Sequence, residues 1–300
     1  MHFVDGKGIL NGRDGRKGMN VYRGCTHGCI YCDSRSVCYG FTHAFEDVEV
    51  KRNAPELLDR ALGGMRRRCM IGTGSMSDPY MHCEERLILT RRCLEVILKH
   101  GFGAAVQTKS DRILRDIDLL EAINRDARCV AQLTLTTWDR DLCRLLEPNV
   151  CDTQRRLEVL EALRARGIPT VVWLSPILPF INDTVENVLP ILEACAAAGV
   201  KGIICFGMGL TLRDGDREYY YAALDRHFPG LKRRYIETYG RAYELSSPNN
   251  APLMALFEDF CERHGILHRP EACFAYLNDL PERQISIFDL GREAGESCEG

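Results

Sequence analysis

Five short apolar runs recur along this chain at Arg68–Thr73, Gly103–Thr108, Arg128–Thr136, Thr170–Leu174 and Gly202–Phe206, and their alternation with amphipathic segments constrains the fold most. Runs of this kind, with little polar alternation, are what strands buried on both faces show, and such strands build parallel sheets. The segments between them read as helices: Pro55–Leu62, Glu84–His100, Asp111–Arg125, Thr153–Arg166 and Thr184–Ala198. Pro55 suits a first helical turn. Gly101, Gly167 and Gly199 stand where C-caps belong, and Thr184, three residues before Asn187, supplies an N-cap. A further strand around Asn20–Arg23 brings the count to six. The pattern predicts an α/β fold, a partial (β/α)6 TIM-like barrel.

In such barrels chemistry sits at the C-terminal ends of the strands. Polar strings fall there repeatedly: Thr73-Gly74-Ser75-Met76-Ser77-Asp78, Gln107-Thr108-Lys109-Ser110, Thr134-Leu135-Thr136-Thr137 and Ser175-Pro176. Residues 1–19, rich in Gly, Lys and Arg, read as an irregular lead-in, 20–212 as the barrel, and 213–300 as a helical C-terminal extension with a polar tail. A net charge of −3 argues against a chain that binds nucleic acid through its overall charge. The N-terminal residues lack the apolar core of a signal peptide, and no apolar run approaches the ~20 residues of a membrane span. A cytoplasmic protein with no membrane partner is expected.

Cys25, Cys29 and Cys32 are spaced C-x3-C-x2-C in the loop after the first strand, with no fourth cysteine at cluster spacing. Clustered thiols in a reducing compartment point to metal, and soft thiolates select zinc or iron–sulfur clusters. Both ordinarily take four ligands, so three leave one metal corner open, as at a reactive metal. His27 lies two residues from Cys25 and Cys29, where ligation would strain the loop. The single cysteines in apolar stretches, such as Cys129, Cys195 and Cys205, read as small buried hydrophobes.

The cysteine loop, barrel and rim strings together resemble the radical S-adenosylmethionine (SAM) superfamily, and within it the spore photoproduct lyase-related branch. The strings are Asn20-Val21-Tyr22-Arg23-Gly24-Cys25, Tyr31-Cys32, Ser77-Asp78-Pro79-Tyr80, Thr108-Lys109-Ser110 with Arg115-Asp116, Glu147-Pro148, Arg155-Arg156-Leu157, Pro176-Ile177-Leu178-Pro179 and Asn182-Asp183, spread over roughly residues 10–210. The resemblance implies that Cys25, Cys29 and Cys32 ligate three irons of a [4Fe-4S] cluster and that SAM chelates the fourth. One electron, from a donor such as flavodoxin or ferredoxin, then cleaves the sulfonium to methionine and a 5′-deoxyadenosyl radical. It further implies Tyr31 beside the adenine, Lys109 on the SAM carboxylate, hydroxyls of Thr73, Ser75, Thr134 or Thr136 on amino or ribose groups, and Arg156 as a second carboxylate contact, with Arg155 competing.

Two departures stand out. The lyase's hydrogen-donor cysteine lies in a Cys-Thr-Ser-Asp segment, and Ser75-Met76-Ser77-Asp78 occupies that place here. Serine does not replace a thiol in hydrogen transfer, because its O–H bond is too strong; Cys83 and Cys69 are the nearest substitutes. Asp33 follows the third cysteine, where the family commonly has an aromatic residue. Gln284-Ile285-Ser286-Ile287-Phe288 resembles the short peptide by which bacterial DNA-repair and replication proteins dock on the sliding clamp, with Ile287 and Phe288 as anchors. Arg66-Arg67-Arg68 and Lys232-Arg233-Arg234-Tyr235 suit phosphate contacts. The reading is a radical enzyme acting on an unidentified substrate, with damaged DNA as the candidate. The alternative is a non-catalytic metal-binding or redox-sensing module, which needs neither Lys109 nor SAM-binding hydroxyls.

Overall fold

The computed structural model describes residues 1–12 and 17–281. Six parallel strands form the body: β1 (Lys17–Met19), β2 (Met70–Thr73), β3 (Gly103–Thr108), β4 (Cys129–Thr134), β5 (Thr170–Trp173) and β6 (Gly202–Ile204). They pair in sequence order, and Leu10–Asn11 adds a short antiparallel edge beside β1. This is the expected partial barrel of mixed α/β class. Its outer face carries Ile71, Ala104, Val106, Ala131, Leu133, Val172 and Ile203 against the surrounding helices. Each of the valine, leucine and isoleucine side chains among them contributes about 1.5–3 kcal/mol by leaving water.

The pleat sends alternate residues to opposite faces. Met70, Ala105, Val130, Val171 and Ile204 therefore line the inner face, where Cys273 and Leu277 of the Pro270–Asn278 helix cover them. The extension thus fills part of the barrel interior. It also supplies the Glu244–Ser246 strand, which pairs antiparallel with Gly209–Thr211.

The structure differs from the sequence reading in five places. The first barrel strand is Lys17–Met19, whereas Tyr22–Arg23 leaves for a separate three-stranded sheet with Glu49–Lys51 and His2–Val4. Residues 1–19 therefore carry three short strands where an irregular lead-in was expected. The Glu84–His100 helix is two, Glu84–Leu87 and Leu89–Lys99, broken at Ile88 with φ 48°. Buried Glu84 explains the break: its carboxylate accepts from Thr90 N (3.1 Å) and so caps the second helix. Asp111–Asp116 is a tighter 3-10 turn leading into Ile117–Asp126, and the Arg140–Leu146 helix was not anticipated.

Thr184 does cap its helix, accepting from Asn187 N at 3.3 Å. In the Thr153–Ala165 helix the buried residues are Thr153, Arg156, Val159, Leu160 and Leu163, a helical stripe with an arginine in it. Among the described residues, no helix is long and apolar enough to cross a membrane. Residues 284–288, read as a clamp peptide, lie outside the described residues.

Candidate active site

The cysteine loop is held by backbone contacts from two sides. Cys25 N donates to Phe45 O (3.2 Å) and Ile30 N to Leu146 O (3.0 Å). Asn149 N donates to His27 O (3.1 Å), and Asn149 Nδ2 to Thr26 O (2.9 Å). Gly24 has φ 91°, and a Cβ there would meet Phe45 O at 2.3 Å, so only glycine admits this entry to the loop. At the next rim position Gly74 has φ 97° and a Cβ would meet Gln107 O at 2.0 Å. That close approach brings the Ser75 segment against the end of β3.

A cavity of about 670 Å3 opens there, within the usual range for small-molecule sites. Its walls include Cys25, Cys29 and Cys32 with Tyr31, Ser75, Gln107, Lys109 and buried Met208, and at its mouth Trp173 and exposed Phe206. The Glu244–Ser246 strand of the extension closes another side. The Lys109 ammonium lies 5.8 Å from the Tyr31 ring centroid and forms no ion pair among the described residues. Burial opposes its charge, but the Cys29 sulfur, once ionised, and the Glu147 carboxylate outweigh this and raise its pKa.

Asp78 is the joint of this rim. Its Oδ1 accepts from Thr108 Oγ1 (2.7 Å) and Tyr80 N (2.9 Å), and its Oδ2 from Lys109 N (2.8 Å). His27 Nδ1 lies 3.5 Å from the same carboxylate, while its Nε2 is buried without a hydrogen-bond partner. Burial holds the imidazole below its ordinary pKa, with Asp78 opposing. Burial also pushes the Cys25 thiol up to about 12, with Asp78 adding to it, and raises Cys29 and Cys32. Such thiols are protonated at neutral pH, and iron must displace those protons to bind.

The donor set fits a cluster better than a single ion. The three sulfurs do not all lie within 4.8 Å of one another. A lone zinc, with Zn–S near 2.3 Å, would need its sulfurs within roughly 4 Å. A multi-iron cluster holds its thiolates farther apart.

Other anticipated residues fall outside the cavity. Thr73 shares the outer face of β2 with Ile71, as the pleat requires, so its hydroxyl is turned away. Thr134 and Thr136 are buried beyond the lining; their carbonyls accept from Arg156 Nη1 (2.9 Å) and from Asn182 and Asn187 (2.8 and 2.9 Å). Arg156 is fully buried behind Tyr31 and donates to Glu147, Thr134 O and Cys151 O (2.7 Å). Its guanidinium balances Glu147, to which Tyr31 Oη also donates. Arg155 is at the surface, on Asp111 and Glu158.

Cys83 lines a different cavity, of about 790 Å3, with Thr26, Arg86 and Cys151, and Cys69 precedes the start of β2 at the opposite end of the strand. Neither reaches the cysteine cavity. Lys232 and Arg233 are engaged by Asp225 and Glu237, Tyr235 is fully buried, and Arg66-Arg67-Arg68 lies at the far end of the sheet. Sequence reasoning missed Gln107, Trp173, Phe206 and the role of Glu147. The pleat was the available signal: Gln107 shares the inner face with Ala105, and Phe206 follows Ile204 by two residues.

A model of the radical SAM superfamily matches residues 19–189. The chain belongs to the radical SAM superfamily. It is a radical SAM enzyme, and its cofactors are a [4Fe-4S] cluster and SAM. An uncharacterized protein of Mycobacterium tuberculosis is 30% identical over 257 residues, 80% of this chain and 74% of that protein. A radical SAM Nα-GlyT isomerase of Pseudomonas phage M6 is 26% identical over 181 residues, 60% of this chain and 36% of that one. Among solved structures, a point mutant of spore photoproduct lyase superposes with a TM-score of 0.62 at 13% identity, covering 89% of this chain and 80% of that one. A variant of that lyase holds AdoMet and dinucleoside spore photoproduct, with a TM-score of 0.56, 12% identity and 83% and 74% coverage.

Proposed function

We propose that Cys25, Cys29 and Cys32 hold the cluster and that Tyr31, Ser75 and Lys109 bind SAM, for hydrogen abstraction from a base of damaged DNA. The observation that carries this reading is the single cavity in which an unpaired ammonium faces three thiols. A redox sensor or storage site has no use for that charge. When bound, cluster and SAM supply a 5′-deoxyadenosyl radical by one-electron cleavage of the sulfonium, the electron coming from a flavodoxin- or ferredoxin-type donor.

The chain's own residues do the positioning. Lys109 neutralises the SAM carboxylate as a compact point charge. Tyr31 offers a ring face to the adenine, and its hydroxyl is fixed on Glu147, which Arg156 fixes in turn. Arg156 is thus a positioning residue. Ser75, exposed at the rim, offers its hydroxyl to a polar group of SAM. At the mouth Trp173 and Phe206 lie 6.1 Å apart, and Phe206 stacks on Phe274 at 6.2 Å and 26°. Phe206 is nevertheless 62% exposed. An aromatic ledge of this kind stacks a planar base, worth about 1–3 kcal/mol, and shields the radical from water.

The lyase solved with a dinucleoside lesion supports the choice of a nucleic-acid substrate. Ser75, in the place of the lyase's donor thiol, argues for a different closing step from that of the lyase. The test is anaerobic turnover of cluster-loaded protein with dithionite and SAM, comparing ultraviolet-irradiated with undamaged DNA. Release of 5′-deoxyadenosine is expected, with label from deuterated bases appearing in it only with the irradiated DNA. No release from protein that retains its four irons would overturn the enzyme assignment of this site; release without base-derived label would overturn the substrate.

A further inference from the structure

Away from the cavity, His2, His43 and Glu49 bring one ligand atom each to within 4.8 Å of one another. We infer that these three side chains form a second metal site, for a divalent transition ion of the zinc type, on the small sheet that supports the cysteine loop.

The hydrogen bonding around the trio is that of a built site. His2 Nδ1 is 3.0 Å from Asp47 Oδ2, and His43 Nδ1 is 2.9 Å from Ala44 O. Each imidazole therefore spends one nitrogen on an oxygen acceptor, which fixes the tautomer and leaves Nε2 with its lone pair free. That carboxylate- or carbonyl-backed arrangement is the usual outer shell of a metal-binding histidine. His43 Nε2 is buried and has no hydrogen-bond partner. The Glu49 carboxylate makes no hydrogen bond or salt bridge among the described residues, and its charge neighbour is Lys51, two residues on along the same strand. A free imidazole nitrogen, a second one beside it and an uncommitted carboxylate are unexplained by packing alone.

The surroundings agree. The two imidazoles meet edge to face at 4.8 Å, and Phe41 stands against His43 at 5.6 Å, giving the site an apolar wall. Two imidazoles with one carboxylate select zinc, iron, nickel or copper over magnesium or calcium, which prefer all-oxygen sets. Around zinc, nitrogen and oxygen ligands at about 2.0–2.2 Å sit roughly 3.4 Å apart, so the trio closes by about an ångström or so to hold the ion, and water completes the coordination.

The placement gives the ion a structural consequence. His2 and Glu49 lie on neighbouring strands, at paired register positions, and His43 on the turn segment that leads into the Glu49–Lys51 strand. Phe45, two residues after His43, accepts the amide of Cys25. A metal here ties together the chain segments that present the first cysteine of the loop.

The test uses full-length protein already loaded with its four irons, so that the cysteine thiols are occupied. Equilibrium dialysis against zinc chloride alone should give one zinc per chain, with a zinc-edge X-ray absorption spectrum of nitrogen and oxygen neighbours only. His43→Ala and Glu49→Gln should each weaken zinc binding at least tenfold, and Asp47→Asn should do so through His2. Glu46→Gln, on the same segment, should leave it unchanged. Because the spectrum is taken on the unaltered protein, it decides even where a variant fails to fold. Sulfur neighbours at the zinc, no zinc retained at micromolar free metal, or folded H43A and E49Q proteins that bind as tightly as wild type would each overturn the site.

Discussion

Two buried tyrosine–glutamate–arginine networks flank the cysteine loop, and only one of them faces a cavity. Before the loop, Tyr22 donates to Glu84, and Arg115 bridges Glu84 and Asp116 at 2.8 and 2.7 Å, with Arg91 on Asp116 at 3.1 Å. After the loop, Tyr31 donates to Glu147, which Arg156 holds. The chemistry is the same and the charge is not. In the first network the buried carboxylates Glu84 and Asp116 meet two arginines that sit partly in solvent, and one of these, Arg91, is also held by exposed Asp118. In the second, one carboxylate meets a fully buried arginine, and Lys109 adds a second cation facing the thiols. The balanced network is a staple. The surplus charge of the other is left over for an anion, which thiolate-bound cluster and SAM carboxylate would supply.

Removing a cation should therefore have unequal effects. Arg156→Met strands a buried carboxylate and should cost about 3–5 kcal/mol, read by urea unfolding. Arg115→Met should cost less, since Arg91 remains on Asp116, Glu84 keeps its hydrogen bonds from Tyr22 and Thr90 N, and the lost side chain was partly exposed. Equal losses would break the comparison. Tyr31→Phe and Tyr22→Phe each remove a hydrogen bond to a buried carboxylate, about 1.5–3 kcal/mol of stability. Only Tyr31→Phe should also weaken SAM binding, measured by calorimetry on cluster-loaded protein. Lys109→Met should separate the two quantities further. It breaks no ion pair and removes only a longer-range attraction to Glu147, so it should cost less stability than Arg156→Met, while SAM affinity should fall roughly tenfold to a hundredfold, the worth of a charged hydrogen bond.

The sequence showed the barrel well because the signal was local. The strands β2 to β6 are largely buried on both faces, so their apolar runs stand out unaided, and β3 was placed at Gly103–Thr108 to the residue. The cysteine loop and Lys109 were legible as strings. Side-chain direction was less so. Thr73 and Gln107 belong to opposite faces of the sheet, and applying the pleat to Met70 and Ala105 would have exchanged them as candidates. Arg156 over Arg155 was decidable from helical spacing, since 153, 156, 160 and 163 share a face. What was not legible were long-range partners: Tyr22 with Glu84 and Tyr31 with Glu147 join residues 62 and 116 positions apart. The chain's departure after Met19 into a second sheet was equally hidden, because Tyr22–Arg23 reads as a strand in either sheet.

Acid offers the finest separation of the two networks. Burial alone would raise the Glu147 pKa, but Arg156, with Lys109 and the Tyr31 hydroxyl, outweighs it and holds the carboxyl below its ordinary 4.5. A depressed folded value means that the unfolded chain binds the proton more readily, so stability rises with pH. The contribution of Glu147 is then complete above about pH 4.5 and is lost as pH falls through the lower, folded value. Arg156→Met takes away the main opposing charge and leaves burial in command, which puts the folded value above the unfolded one. The sign reverses: the variant's deficit should be greatest at neutral pH and shrink on acidification, by about 1.4 kcal/mol for each pKa unit gained. Urea unfolding of wild type, Arg156→Met and Arg115→Met between pH 7 and 4 reads this directly. A deficit in Arg156→Met that stays constant across that range would mean that Glu147 is not the group Arg156 holds ionised, and the contrast between the two networks would reduce to packing.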